Sequence, residues 1–203
     1  VPIVILPGLD GTSLLLRDFT TLSGAHVIEY PREILSYDDL ATYAAKHVPQ
    51  GAILIGESFG GAIATLVASR VDAAALVLVN SFVVPPLPRV LARLPLATLL
   101  RFDPPRWLMD VGSAIRSVPR EVLASRIRMA LSVDVRREFA GTTMPLLDLR
   151  SRAARLVNLR RRRAVLRARP DARVVDIDGP HTLLFSNALG AWEAIRSALC
   201  YTL

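Results

Sequence analysis

The chain has 203 residues, enough for one substantial core, and 52% of them are hydrophobic against 21% charged, a balance that excludes the disordered classes. No apolar run reaches the roughly 18–20 residues of a membrane-spanning helix, because Gly, Pro, Arg or Asp interrupts every stretch, even at a mean hydropathy of +0.38. The net charge of +7 is almost all arginine, with Lys46 the only lysine; its densest run, at 160–163 with Arg167 and Arg169, has no aromatic platform or nucleic-acid motif beside it and reads as a solvated helix face. The single Cys200 leaves no internal disulfide and suits a reducing compartment, the cytoplasm by default. Val1 already lies in an apolar run, so a start methionine or short leader is expected to precede it.

Residues 2–6 form a β-branched apolar run ended by Pro7-Gly8, the pattern of a strand buried on both faces. A short helix is expected over 14–19, then a strand over 25–30 closed by Pro31. Ser36 with Asp39 makes a capping box, and Leu40, Tyr43, Ala44, His47 and Val48 follow at helical spacing. Gly51 ends that helix, residues 52–55 give a strand, and residues 56–61 run without a linker into a helix over 62–69. A strand over 75–79 comes next.

From 83 to 143 the pattern changes. Prolines at 85, 86, 88, 95, 104, 105 and 119 punctuate short helical stretches such as 90–94 and 121–131, the signature of an inserted helical cap. A strand over 145–149, a basic helix over 159–169, a strand over 172–177 and a closing helix from about 187, with Ser186 as its cap, complete the chain. Alternating strands and helices predict an α/β fold: a mainly parallel six-stranded sheet with helices on both faces, in one domain over 1–203 with the cap inserted at about 83–143. No internal repeat or low-complexity linker interrupts it.

Gly56-Glu57-Ser58-Phe59-Gly60 is a G-x-S-x-G element between a predicted strand and a predicted helix. A turn sharp enough to lift a serine above the sheet edge crowds the backbone, hence the flanking glycines, and the helix behind it supplies amides and a positive dipole end. Ser58 is therefore the candidate nucleophile. A serine attacking a carbonyl needs donors for the developing oxyanion: the amide of Phe59 is one, and the loop 7–12 after the first strand offers Leu9 as the other. Of the only histidines, His26 and His47 read as packed residues in a strand and on an inner helix face, whereas His181 follows the last strand in the loop 178–181, where α/β ligand sites form. His181 is the candidate base. The histidines have no metal-ligand spacing and residues 56–61 lack the dinucleotide-binding pattern, so neither a metal nor an organic cofactor is implied.

Together the PGLDGT loop, the GESFGG elbow and the GPH loop make the whole chain resemble the α/β-hydrolase superfamily, and within it compact bacterial serine esterases. The resemblance implies a sheet lacking two amino-terminal strands of larger members, a helical lid after the strand ending at Val79, and hydrolysis of carboxylic esters through an acyl-enzyme on Ser58. Short to medium acyl chains are expected; Leu91, Leu94, Leu96, Leu99, Leu100, Trp107, Leu108 and Met109 could line an acyl pocket, although most are expected to pack the cap against the core. The family carries an Asp or Glu after the strand that precedes the last helix and strand pair. Here that position falls near Ala154, and no carboxylate occurs between Asp148 and Asp171. Asp148 lies too early by about six residues, or about 20 Å of extended chain; Asp178 is near His181 in sequence and is expected to order its loop, and Asp10 could reach toward the pocket from the oxyanion side. The triad acid is thus unassigned, and a Ser-His dyad, an unexpected acid and a weakened triad are all open. An acyltransferase or thioesterase using the same acyl-serine, and a non-catalytic binding protein, are the alternatives to an esterase. The expected partner is a small-molecule ester, with no nucleic acid and no stable membrane insertion.

Overall fold

The computed structural model describes residues 1–86 and 107–199. Six of the apolar runs form strands: β1 (Ile3–Leu6), β2 (His26–Val27), β3 (Ala52–Glu57), β4 (Ala73–Val79), β5 (Leu146–Ser151) and β6 (Arg173–Ile177). They make one sheet in the order β2-β1-β3-β4-β5-β6, and every neighbouring pair is parallel. Parallel neighbours require a crossover between them, and helices supply it on both sides. The crossover helices are α1 (Arg17–Ser23), α2 (Tyr37–Ala45), α3 (Gly60–Ala68) and α7 (Arg155–Ala168), with α4 (Trp107–Arg116), α5 (Arg120–Ser132) and α6 (Arg136–Gly141) inserted between β4 and β5, while α8 (Leu183–Ser186) and α9 (Ala188–Leu199) follow β6.

The period of two along each strand divides the core. Val4, Leu6, Leu54, Leu76, Leu78 and Leu146 face α2, α3 and α7, whereas Ile5, Ile53, Ile55, Val77, Leu147 and Leu149 face α1, α8 and α9. Each such side chain, removed from water, contributes about 1.5–3 kcal/mol. Helix α3 is buried at every position, as its Gly-Ala-Ile composition requires of a helix wedged against the sheet. Of the inserted segment, Val83, Val133, Val135 and Phe139 join the core on the α3 side, and Val135 N donates to Val83 O at 3.0 Å, returning the chain beside the exit of β4.

Several expectations shift. The strand expected over 25–30 pairs with β1 only at His26–Val27: after Ile28 N donates to Ile5 O, Tyr30 N donates to Gly11 O and draws the chain over the loop 7–12. His26 and His47 are exposed rather than packed, the first because β2 is a two-residue edge strand, the second because α2 stops at Ala45 and leaves the ring against Tyr43 at 5.0 Å. The hydroxyl of Ser186 donates to Thr182 O inside α8, so the cap of α9 is Asn187, whose Oδ1 accepts from Gly190 N at 3.2 Å. The capping box of Ser36 and Asp39 is present. The helix expected at 90–94, with Leu91, Leu94, Leu96, Leu99 and Leu100, and also Cys200, lie outside the described residues; Trp107, Leu108 and Met109 lie at the start of α4. Among the described residues no helix is long and apolar enough to cross a membrane.

Candidate active site

All five longer strands end at one edge of the sheet, and the loops leaving that edge carry every candidate residue. Ser58 follows β3 directly with φ of 52°, a left-handed conformation that a serine adopts only at a cost. Three hydrogen bonds hold its main chain there: Ser58 N donates to Val79 O at 2.9 Å, and Ser58 O accepts from Ser81 Oγ at 2.7 Å and from Gly61 N at 3.2 Å. The glycines around it are required by contact. A Cβ on Gly60 would sit 2.1 Å from Leu6 O, one on Gly56 would sit 2.5 Å from the Gly61 Cα, and one on Gly61 would sit 1.8 Å from Ser81 Oγ. Only bare backbone lets α3 start this close to β1 and β4.

His181 lies in the loop after β6, and its Nε2 is 2.9 Å from Ser58 Oγ. The two residues are 123 apart in sequence. Their meeting depends on a network at the strand ends. Asn80, 1% exposed and with φ of 45°, donates from Nδ2 to His181 O at 2.6 Å while its Oδ1 accepts from Ser151 N at 2.8 Å. Ser151 Oγ donates to Gly179 O, and Asn187 Nδ2 donates to Asp178 O at 2.8 Å. Thus the ends of β4 and β5 and the start of α9 all grip the histidine loop through main-chain groups.

The loop 7–12 is fixed from behind. Tyr30 Oη donates to Pro7 O at 2.9 Å, Gly11 N to Gly8 O at 3.1 Å, and Arg126 Nη1 to both Leu9 O and Asp10 O at 2.9 Å. Asp10 Oδ2 accepts from Thr12 N at 3.0 Å and from the Thr12 hydroxyl. The amides of Leu9 and Phe59 donate to no described residue.

The carboxylates near the site have other occupations. Asp148, 1% exposed, is paired with Arg150, whose Nε lies 2.7 Å away. Burial pushes the Asp148 carboxyl up and the Arg150 guanidinium partly offsets this. The Asp178 side chain is 82% exposed, with Arg152 at 3.3 Å. Ala154 ends a short 3-10 turn over Arg152–Ala154 that follows β5. Glu57, the residue before Ser58, is 6% exposed and accepts from Leu184 N at 3.1 Å. Burial raises its pKa to about 8, the Leu184 amide works against that shift, and Asp10 adds to it. At neutral pH this carboxyl is mostly protonated.

The model of the α/β-hydrolase family matches residues 3–199. The chain is an α/β-hydrolase. Solved structures of similar fold include a thermophilic esterase, with 19% identity, TM-score 0.80, and 98% of this chain and 89% of that one covered. Another is a lipase-esterase related protein from Clostridium acetobutylicum, with 13% identity, TM-score 0.77, and 97% and 93% covered. MenH from S. aureus has 15% identity, TM-score 0.76, and 98% and 93% covered. At these identities the likeness is one of fold. No curated protein matches the chain in sequence.

Reading the α/β-hydrolase from sequence brought forward as candidates Ser58 and His181, which lie 2.9 Å apart, but not Asn80, Glu57 or Arg126. Asn80 had a signal: a polar residue directly after an uninterrupted apolar strand. Glu57 stood inside the motif itself, where its variable position hid it. Arg126 had none, being one arginine among many on an inserted helix.

Proposed function

We propose that this α/β-hydrolase is a serine ester hydrolase of the carboxylesterase type. The observation that carries the reading is the 2.9 Å approach of His181 Nε2 to Ser58 Oγ, on a serine held at φ of 52° above the sheet edge. With the Nδ1–H tautomer of His181, Nε2 accepts the Ser58 proton as Oγ attacks the ester carbonyl carbon. The carbonyl oxygen becomes an oxyanion, for which the amides of Leu9 and Phe59 are the donors. Collapse breaks the ester C–O bond, His181 returns its proton to the departing alkoxide, and acyl-Ser58 remains. Water, deprotonated by His181, attacks the acyl carbon, and the carboxylic acid leaves with Ser58 restored.

A cavity of about 340 Å³ is lined by Leu14 and Leu15 beyond the loop 7–12, by Ser113 and Ala114 of α4, and by Phe185 of α8 just past His181. Arg17 and Asp18 complete a wall of mixed polarity that suits a small ester, in keeping with short to medium acyl chains, and the inserted helices would then serve as the cap of the site. The test is turnover of an activated short-chain ester together with labelling by a fluorophosphonate. Ser58→Ala is expected to abolish both in folded protein, and His181→Ala to cost nearly as much, because residues that act as one unit do not contribute additively. Undiminished turnover in Ser58→Ala would sink the reading; a loss below about tenfold in His181→Ala would assign the base elsewhere.

A further inference from the structure

Arg126 projects from the inserted helix α5 and is 3% exposed, yet its charge meets main-chain carbonyls rather than a carboxylate. Nη1 donates to Leu9 O and Asp10 O, each at 2.9 Å, and Nη2 donates to Pro31 O at 3.0 Å. The guanidinium carbon lies 5.4 Å from the centre of the Tyr30 ring, whose hydroxyl holds Pro7 O at the other end of the same loop. Gly11, with φ of 69°, leaves the room this requires, since a Cβ there would sit 2.5 Å from Nη1. Burying a guanidinium is costly unless its donors are used, and here three converging carbonyls use them. Burial accordingly lowers the Arg126 pKa, an effect that Tyr30 and Asp10 oppose.

The carbonyls of Leu9 and Asp10, held by Arg126, and of Pro7, held by Tyr30, flank the Leu9 amide. Fixing Leu9 O and Asp10 O sets the backbone torsions on the carboxyl side of Leu9, and fixing Pro7 O sets them on the amino side. Resting on the serine-hydrolase reading above, we propose that Arg126 is a positioning residue of the oxyanion hole, holding the loop so that the Leu9 amide points where the oxyanion forms. The inserted helices thereby become part of the apparatus that stabilises the transition state. A planar fork with several donors is needed to span the carbonyls, so lysine is no substitute.

The experiment compares an activated ester with its thiono analogue, in which the developing charge falls on sulfur, a larger atom and a weaker acceptor. The ratio of their turnover reports on the oxyanion hole and is independent of the fraction of protein folded. Arg126→Lys is expected to lower kcat for the oxygen ester about ten- to a hundredfold, with KM within about threefold, and to narrow the ratio about fivefold or more. Arg126→Gln, which keeps a planar donor, serves as the second variant, and added guanidinium ion is expected to restore part of kcat in Arg126→Ala. An unchanged ratio, with both esters slowed alike, would overturn the proposal, as would a kcat within about threefold of the parent. Turnover surviving in Ser58→Ala would instead overturn the serine-hydrolase reading, and this proposal with it.

Discussion

Beside Ser58, a carboxyl takes the opposite protonation state from the one its chemistry favours in water. Glu57 has its own pKa raised from 4.5 to about 8, chiefly by burial. The folded-state value lies above the unfolded one, so the unfolded chain binds fewer protons throughout the interval between them. Stability linked to Glu57 is therefore full below about pH 4.5 and is lost as the pH rises toward 8, a loss of order a few kcal/mol. Glu57→Gln keeps the acceptor for Leu184 N and removes the titration. Urea midpoints of variant and parent are expected to agree near pH 5 and to separate by pH 8.5, with the variant the more stable. Parallel midpoint profiles across that range would show that Glu57 ionises in the folded state as it does in water.

Between elements, the candidate active site is assembled at strand ends, and Asn80 is where the assembly is tightest. It joins β4, through Val79, to β5, through Ser151 N, and to the loop of His181 through that residue's carbonyl. Asn80 N also donates to Leu149 O at 2.9 Å, so the bend at φ of 45° is anchored at both backbone and side chain. Asn80→Gly tolerates the positive φ but deletes the side-chain bonds to His181 O and Ser151 N. It is expected to cost about 1–3 kcal/mol of stability and, by freeing His181 to drift from Ser58, at least about tenfold in kcat, with KM little changed. Thermal unfolding and steady-state kinetics read these separately; a kcat within about threefold of the parent would mean that Ser151 and Asn187 suffice to hold the histidine loop.

Across the molecule, buried polar groups are expensive, and one buried ion pair stands in β5, one strand from the sheet edge. Asp148 and Arg150 alternate with Leu147 and Leu149, so both charges lie on the face that carries Leu146, where they are 1% and 2% exposed. Removing one partner of a buried pair costs about 3–5 kcal/mol, because the other charge stays desolvated. That is a large share of a total that rarely exceeds about 15 kcal/mol. Asp148→Ala should lower Tm by roughly 6–20 °C for a chain of this size. Turnover per folded molecule is expected to stay near the parent's, since the pair holds the sheet and does not touch Ser58. A Tm change below about 2 °C would show that Arg150 is satisfied without this carboxylate.

Much of this was legible along the chain because it is local. A strand buried on both faces needs an apolar run such as Ile3–Leu6 or Ala73–Val79, a helix needs a cap such as Ser36, and a nucleophile turn needs glycines where Gly56, Gly60 and Gly61 stand. Those features determine the alternating order of elements, the parallel sheet and the positions of Ser58 and His181. What tertiary structure alone decided involves partners far apart in sequence: Arg126 against the carbonyl of Leu9, 117 residues away, and Asn80 against that of His181, 101 residues away. It also shortened β2 and left His26 and His47 in solvent. Periodicity and turn chemistry report on neighbours a few residues apart, whereas the value of a buried guanidinium or amide depends on which carbonyls folding brings to it.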